Sequence, residues 1–228
     1  MHILLVAATT LELEYIYEGL KRSKDKGYYL IDGCPGLTIE VLITGVGIHP
    51  TTYRLTKRVL SSLPKPDWVL NVGIAGSFND DIKLGDGVIV NTQTFVDWGV
   101  ADPHGFLSVF ELKFEDKDQF PFTDGQLQNP NTSPTLPLRE VSSITSNSSH
   151  GTTASIRNVM AQQEADIESM EGAAVSYVCI QEGVPYIELR TISNRVEKRD
   201  FTKWDIPLAK RNLATHFLSL VKQLKSQR

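Results

Sequence analysis

The stretch Trp68-Val69-Leu70-Asn71-Val72-Gly73-Ile74-Ala75-Gly76 decides the fold: Trp68 to Val72 reads as a buried strand, and the glycine-spaced residues after it as the turn that ends it. Comparable runs recur on both sides. His2 to Ala8 reads as a buried strand followed by a helix from Leu11 to Leu20. Tyr28 to Asp32 and Leu37 to Thr44 read as a hairpin pair around Gly33-Cys34-Pro35-Gly36, and the second member leads through Gly45-Val46-Gly47 into a helix from about Pro50 to Leu60. Downstream, strands are expected at Gly87 to Asn91, Ser143 to Ser146 and Tyr186 to Ile192. Helices are expected at Thr153 to Gln162, Ser169 to Gln181 and Ile206 to Lys222. This alternation predicts an α/β fold with a mostly parallel central sheet covered by helices. Residues 97 to 140 hold Pro103, Pro121, Pro130, Pro134 and Pro137 with little periodicity, and they read as an elaborated loop region over the sheet within a single domain spanning 1–228.

Composition narrows the function classes. With 228 residues and 41% apolar content, one sizeable core is expected. A net charge of −4 with scattered Lys and Arg argues against a nucleic-acid partner, and apolar runs too short for a bilayer argue against a membrane partner. The first residues read as a strand and not as a signal peptide, so an intracellular, cytoplasmic protein is expected. Cys34 and Cys179 have no metal-ligand spacing, so reduced thiols are expected, with no metal site and no implied cofactor.

In an open α/β sheet, ligands bind beyond the carboxyl ends of the strands. Four such points stand out: Thr9-Thr10-Leu11-Glu12, Gly45-Val46-Gly47, Gly73-Ile74-Ala75-Gly76 and Ser193-Asn194-Arg195. Each has an ordinary reading. Glu12 is one of three helix carboxylates with Glu14 and Glu18, the glycines suit plain turns, and Asn194 suits a left-handed turn residue. A fifth point is Ser169-Met170-Glu171-Gly172-Ala173-Ala174, which sets a carboxylate at the mouth of a helix whose polar side chains to Ile180 are only Ser176, Tyr177 and Cys179. Glu171 either serves its own helix start or is a hydrogen-bond acceptor poised for a ligand. Met170 is either core filler or an adaptable apolar wall.

Together, Glu12, Gly45-x-Gly47, Asn71 to Gly76, Leu84-Gly85-Asp86, Ser169-Met170-Glu171 and Arg190-Thr191-Ile192-Ser193-Asn194 resemble the nucleoside phosphorylase and nucleosidase superfamily over nearly the whole chain. Within it, Asp97 to Phe106, Ile192 to Asp200 and Trp204-Asp205-Ile206 resemble the futalosine hydrolase family of menaquinone biosynthesis. The resemblance implies the nucleosidase fold, a mixed, mostly parallel sheet flanked by helices. It also implies a homo-oligomer, a dimer or larger, and a small-molecule nucleoside substrate. The implied reaction is hydrolysis of futalosine to hypoxanthine and dehypoxanthine futalosine. It places Glu12, four residues beyond Ala8, as the base that activates water with Glu14 as the alternative, Glu171 on the ribose hydroxyls, Met170 against the sugar, and Ala75 and Gly76 along the substrate.

Asn194 is the discriminating residue. Relatives that cleave adenine nucleosides tend to carry aspartic acid there, whereas an amide NH₂ donates to N7 and O6 of a 6-oxopurine and so points to hypoxanthine. Arg195 and Arg199 are candidates for the carboxylate beyond the ribose, with Phe106, Trp98 and Trp204 as apolar walls and His104 and His150 as further polar candidates. From Tyr28 to Tyr53 there is no Lys or Arg, which favours water over phosphate as nucleophile. Arg54 and the Gly45-Val46-Gly47 turn keep a phosphorylase open, since a helix N-terminus can itself hold phosphate. An adenine-specific methylthioadenosine/adenosylhomocysteine nucleosidase and a non-enzymatic nucleoside-binding module stay open as well.

Overall fold

The computed structural model describes residues 1–24, 27–61, 63–103, 105–131 and 137–226. Its strands are β1 (His2–Ala7), β2 (Leu20–Arg22), β3 (Tyr28–Ile31), β4 (Thr38–Ile43), β5 (Trp68–Ser77), β6 (Gly87–Phe95), β7 (Gly99–Asp102), β8 (Gly105–Ser108), β9 (Leu127–Gln128), β10 (Arg139–Thr145), β11 (Ile167–Ser169) and β12 (Tyr186–Arg195). Its helices are α1 (Glu14–Glu18), α2 (Ile48–Val59), α3 (Thr153–Gln162), α4 (Gly172–Gln181) and α5 (Ile206–Ser226). The main sheet runs β11-β10-β6-β12-β5-β1-β4-β3-β2, with β9 on β6. Pairings of β1 with β4 and β5, of β5 with β12, and of β10 with β6 and β11 are parallel; β6–β12 and the β2–β3–β4 edge are antiparallel.

Alternation along the central strands builds two apolar layers. Ile3, Leu5 and Ala7 of β1 face α1 and α5 with Leu213, Phe217 and Leu220, while Leu4 and Val6 face α2 and α4 with Leu55, Val175 and Val178. Both faces are covered, so β1 reads as one continuous apolar run. Both cysteines are free and buried, and burial pushes the Cys179 thiol pKa far up. No helix among the described residues is long and apolar enough to cross a membrane.

Three departures from the sequence reading matter for the site. The helix expected from Leu11 to Leu20 is only α1, because Leu13 N–H closes a turn on Thr10 and Leu20 leaves the helix to pair with Ile31. Glu12 therefore stands in the turn before the helix. Second, Gly73 to Gly76 do not end β5 but continue it to Ser77. These glycines admit neighbours: a Cβ on Gly73 would run into the Arg190 guanidinium and Glu12, and one on Gly76 would meet Val196 at 2.8 Å and the Asn194 amide at 3.1 Å. Third, the last two residues of β5 pair antiparallel with β11, so the path β5-β12-β6-β10-β11 returns to β5. That closure sets Glu168 directly opposite Gly76. In contrast, Gly45 and Gly47 are turn glycines as expected, with φ of 81° and 95°.

Candidate active site

Glu171 caps α4 by position but not by hydrogen bond. The first free N–H groups of that helix are taken elsewhere: Gly172 N donates to Ser169 Oγ at 3.3 Å and Ala173 N to Thr145 Oγ1 at 2.9 Å. The Glu171 carboxylate is thereby released to cross to the start of α2, where Oε1 accepts from Gly47 N at 2.9 Å. Burial pushes its pKa up, opposed by the positive charge of Arg190 and the Gly47 N–H, and reinforced by Glu12 and Glu188.

Arg190 is the hub of this cluster. It is 1% exposed, in the middle of β12, and its Nε donates to Glu188 Oε1 at 2.8 Å. Glu188 is in turn fixed by Gln93 Nε2 at 2.9 Å, Gln93 Oε1 accepts from Thr145 Oγ1 at 2.9 Å, and Thr145 is the residue that caps α4. Burial works against the guanidinium charge, but Glu188, Glu171 and Glu12 outweigh it and hold the pKa above the ordinary arginine value. One cation thus faces three carboxylates. Arg190 Nη2 is a buried donor with no hydrogen-bond partner among the described residues. Glu12 completes the cluster over Gly73, with its other oxygen accepting from Thr9 N at 2.9 Å.

Three residues further along β5, about 10 Å at strand rise, a second cluster forms around Gly76. The register of β12 against β5 slips between Ile192 and Asn194, so Ser193 bulges and Asn194 is re-aimed at Gly76. Ser193 Oγ donates to Asn194 Oδ1 at 2.8 Å and Asn194 Nδ2 donates to the Arg195 carbonyl at 2.9 Å, which fixes the amide and leaves its second N–H without a partner among the described residues. Beside it, Glu168 accepts from His150, from Nδ1 at 2.6 Å and from the backbone N at 3.2 and 3.3 Å.

The two clusters share one cavity of about 350 Å³, lined by Glu12, Ala75, Gly76, Met170, Glu171 and Asn194, all read from the sequence as site residues. Arg199 and Trp204 line it too, stacked on each other with 5.6 Å from guanidinium carbon to ring centroid. Arg195 does not. Its guanidinium is held at the far side by Ser77 Oγ, the carbonyls of Phe78 and Asn79, and Asp80, because successive strand residues point to opposite faces and Asn194 takes the inward one. Phe106 also lies elsewhere, on the β7–β8 hairpin against a neighbouring cavity of about 810 Å³. Trp98 is packed edge-on against Phe95 and Phe110, and His104 lies outside the described residues. Glu14 does not line the cavity; it is paired with Lys210, which stands at the cavity rim. Glu168, Glu188, Gln93 and Arg190 in its role as hub escaped the sequence reading; a charged pair inside the apolar run Tyr186 to Ile192 was the signal for two of them.

A family model described as the phosphorylase superfamily matches residues 3–223. The chain belongs to this superfamily. Among superfamily members, a futalosine hydrolase from Acidothermus cellulolyticus is 28% identical over 228 residues, covering 95% of this chain and 89% of the relative. A 5′-methylthioadenosine/S-adenosylhomocysteine nucleosidase from Shewanella piezotolerans is 25% identical, covering 98% of this chain and all of the relative. The solved futalosine hydrolase of Helicobacter pylori shares the fold with a TM-score of 0.76 at 20% identity, covering 98% of both chains.

Proposed function

We propose that this superfamily member is an N-ribosyl hydrolase that releases hypoxanthine from futalosine, leaving dehypoxanthine futalosine, a step of menaquinone biosynthesis. The observation that carries the reading is the excess of carboxylate over cation at one end of the cavity, with a neutral amide at the other. Cleavage of an N-ribosidic bond passes through a ribosyl oxocarbenium ion, and three carboxylates around one buried arginine form a field that favours such a cation and disfavours inorganic phosphate. Phosphorolysis needs uncommitted cationic groups beside the sugar. Arg54 is spent on the Ile43 carbonyl at 3.3 Å and Lys210 on Glu14.

In this reading Glu12, at the cavity wall, takes the proton of the attacking water. Glu171 accepts from the ribose 2′- and 3′-hydroxyls, pre-aimed by Gly47 N–H, and Met170 packs on the sugar. Asn194 donates its free amide N–H to the acceptors of a 6-oxopurine over Gly76. Arg199, stacked on Trp204 at the cavity wall, replaces Arg195 as the cation for the substrate carboxylate.

The test is to incubate the protein with futalosine, inosine and methylthioadenosine, with and without phosphate, and to separate the free purines by chromatography. Hypoxanthine from futalosine, indifferent to phosphate, is the expected result. Adenine release would overturn the base assignment, phosphate dependence would make the protein a phosphorylase, and recovery of every nucleoside intact would leave a binding module.

A further inference from the structure

The proposed reaction leaves one proton without a source. When the bond from C1′ to the purine breaks, its electron pair goes to the base, and the Asn194 amide can hydrogen-bond that charge but has no acidic proton to transfer. The pair His150–Glu168 stands next to Asn194 and has no part in the steps assigned to Glu12, Glu171 and Asn194. The ring Nδ1 and the backbone N of His150 both meet the Glu168 carboxylate, the ring at 2.6 Å, and the two side chains are only 14% and 8% exposed. Both residues line the nucleoside cavity. Glu168 is delivered there by the β11–β5 pairing, so that its Cγ and the Asn194 amide lie against the same face of Gly76. With Nδ1 committed to Glu168, Nε2 is the ring atom left to meet a ligand. A buried carboxylate behind an imidazole orients the ring.

We propose that His150 is the general acid of this site and Glu168 its positioning residue. As the glycosidic bond breaks, the proton on His150 Nε2 passes to N7 of the purine, whose imidazole ring receives the electron pair of the broken bond. Water adds to C1′ and loses a proton to Glu12; solvent then takes that proton from Glu12 and returns one to His150, so the enzyme is unchanged and the net reaction is hydrolysis. Asn194 and His150 divide between them what a single carboxylic acid would otherwise do: the amide selects the 6-oxopurine and the imidazolium protonates it. The charged groups facing His150 are Glu168 on β11, Arg199 behind Gly151, Glu12, Glu171 and Lys210 across the nucleoside cavity, and Asp102, Glu111, Lys117 and Asp124 across the neighbouring one. Glu168 is the one in direct contact. This inference rests on the purine nucleosidase reading.

The experiment compares the unaltered protein with H150Q and E168Q on futalosine and on 4-nitrophenyl β-ribofuranoside, whose nitrophenolate departs without a proton. H150Q is expected to lower kcat on futalosine on the order of 100-fold with little change in KM, to leave nitrophenolate release within about threefold, and to abolish the fall in kcat at alkaline pH. E168Q is expected to fall between the two proteins. Equal losses on both substrates would mean a structural role and overturn the assignment. If the nitrophenyl riboside is not turned over by any of the three proteins, the pH profile decides, and an alkaline fall that persists in H150Q overturns it. Should the unaltered protein release no purine from any nucleoside, the nucleosidase reading itself fails and His150 loses its role with it. Purine release that is normal in H150Q at every pH refutes only the general acid.

Discussion

The two ends of the cavity are built on opposite principles. Around Gly73 the groups are charged, buried and tied into one circuit that runs from Arg190 through Glu188, Gln93 and Thr145 to the start of α4, and so back to Glu171. Around Gly76 the base-facing group is a neutral amide on a bulge, held by two short-range bonds to its chain neighbours. A carboxylate-rich, rigid end suits a sugar that becomes a cation, and a neutral amide suits a purine chosen by its pattern of donors and acceptors. Mutation should therefore cost rate at the first end, and at the second it should cost selectivity where it touches the Asn194 amide.

The largest effect is expected at Glu12. Glu12→Gln removes the carboxylate proposed as the proton acceptor over Gly73, and kcat for purine release should fall roughly 1,000-fold with an unchanged circular dichroism spectrum. Glu14→Gln, two residues away but paired with Lys210, should remain near full activity. Equal losses in the two variants would erase the distinction between the charged end and the surface beside it. Next comes the circuit itself. Glu188→Leu leaves the wholly buried Arg190 without its partner, so unfolding in urea should show a stability loss of about 3 kcal/mol or more, together with lower activity. A Glu188→Leu variant as stable as the parent would mean that Arg190 is held by Glu12 and Glu171 alone.

The unequal visibility of the two ends in the sequence has a physical cause. Glu12, Glu171 and Asn194 are legible because each stands where a strand or helix begins or ends, and a chemistry-bearing residue at such a junction has few structural uses. Glu188 and Arg190 are not, because they lie inside β12 and their pairing depends on Gln93 from a strand ninety-five positions away. Glu168 is visible only through the closure of β11 onto β5, a long-range pairing that no local pattern encodes. The same limit explains Arg195: it and Asn194 are neighbours in the chain, and the bulge at Ser193 sets which of the two faces inward. The run from Gly73 to Gly76 reads locally as a turn, and its two glycines instead make room for Arg190 and Asn194.

At the neutral end, Asn194→Asp should change choice more than speed. A carboxyl group accepts from a 6-amino group, and when protonated it can supply N7, so the ratio of kcat/KM for adenine over hypoxanthine nucleosides should rise at least about tenfold. Competition assays with paired nucleosides would read this directly. A variant that loses both substrates equally would show that the base end is as rigidly built as the sugar end.

The smallest effect has the most specific sign. Glu171 carries a folded-state pKa raised by burial, so the stability it contributes is fully present below the ordinary carboxylate value and is lost as pH rises through the raised one. Glu171→Gln keeps an oxygen to accept from Gly47 N–H but never ionises. Thermal unfolding followed from acid to neutral pH should therefore show the two proteins alike at the acid end and the variant increasingly the more stable as pH rises, while its activity is lost throughout. Burial works against the Glu171 charge, and the Arg190 hub offsets that cost only in part. A variant that is less stable than the parent at neutral pH would mean that Arg190 depends on Glu171 as much as on Glu188, and the charged end would then be a structural ion cluster first and a substrate site second.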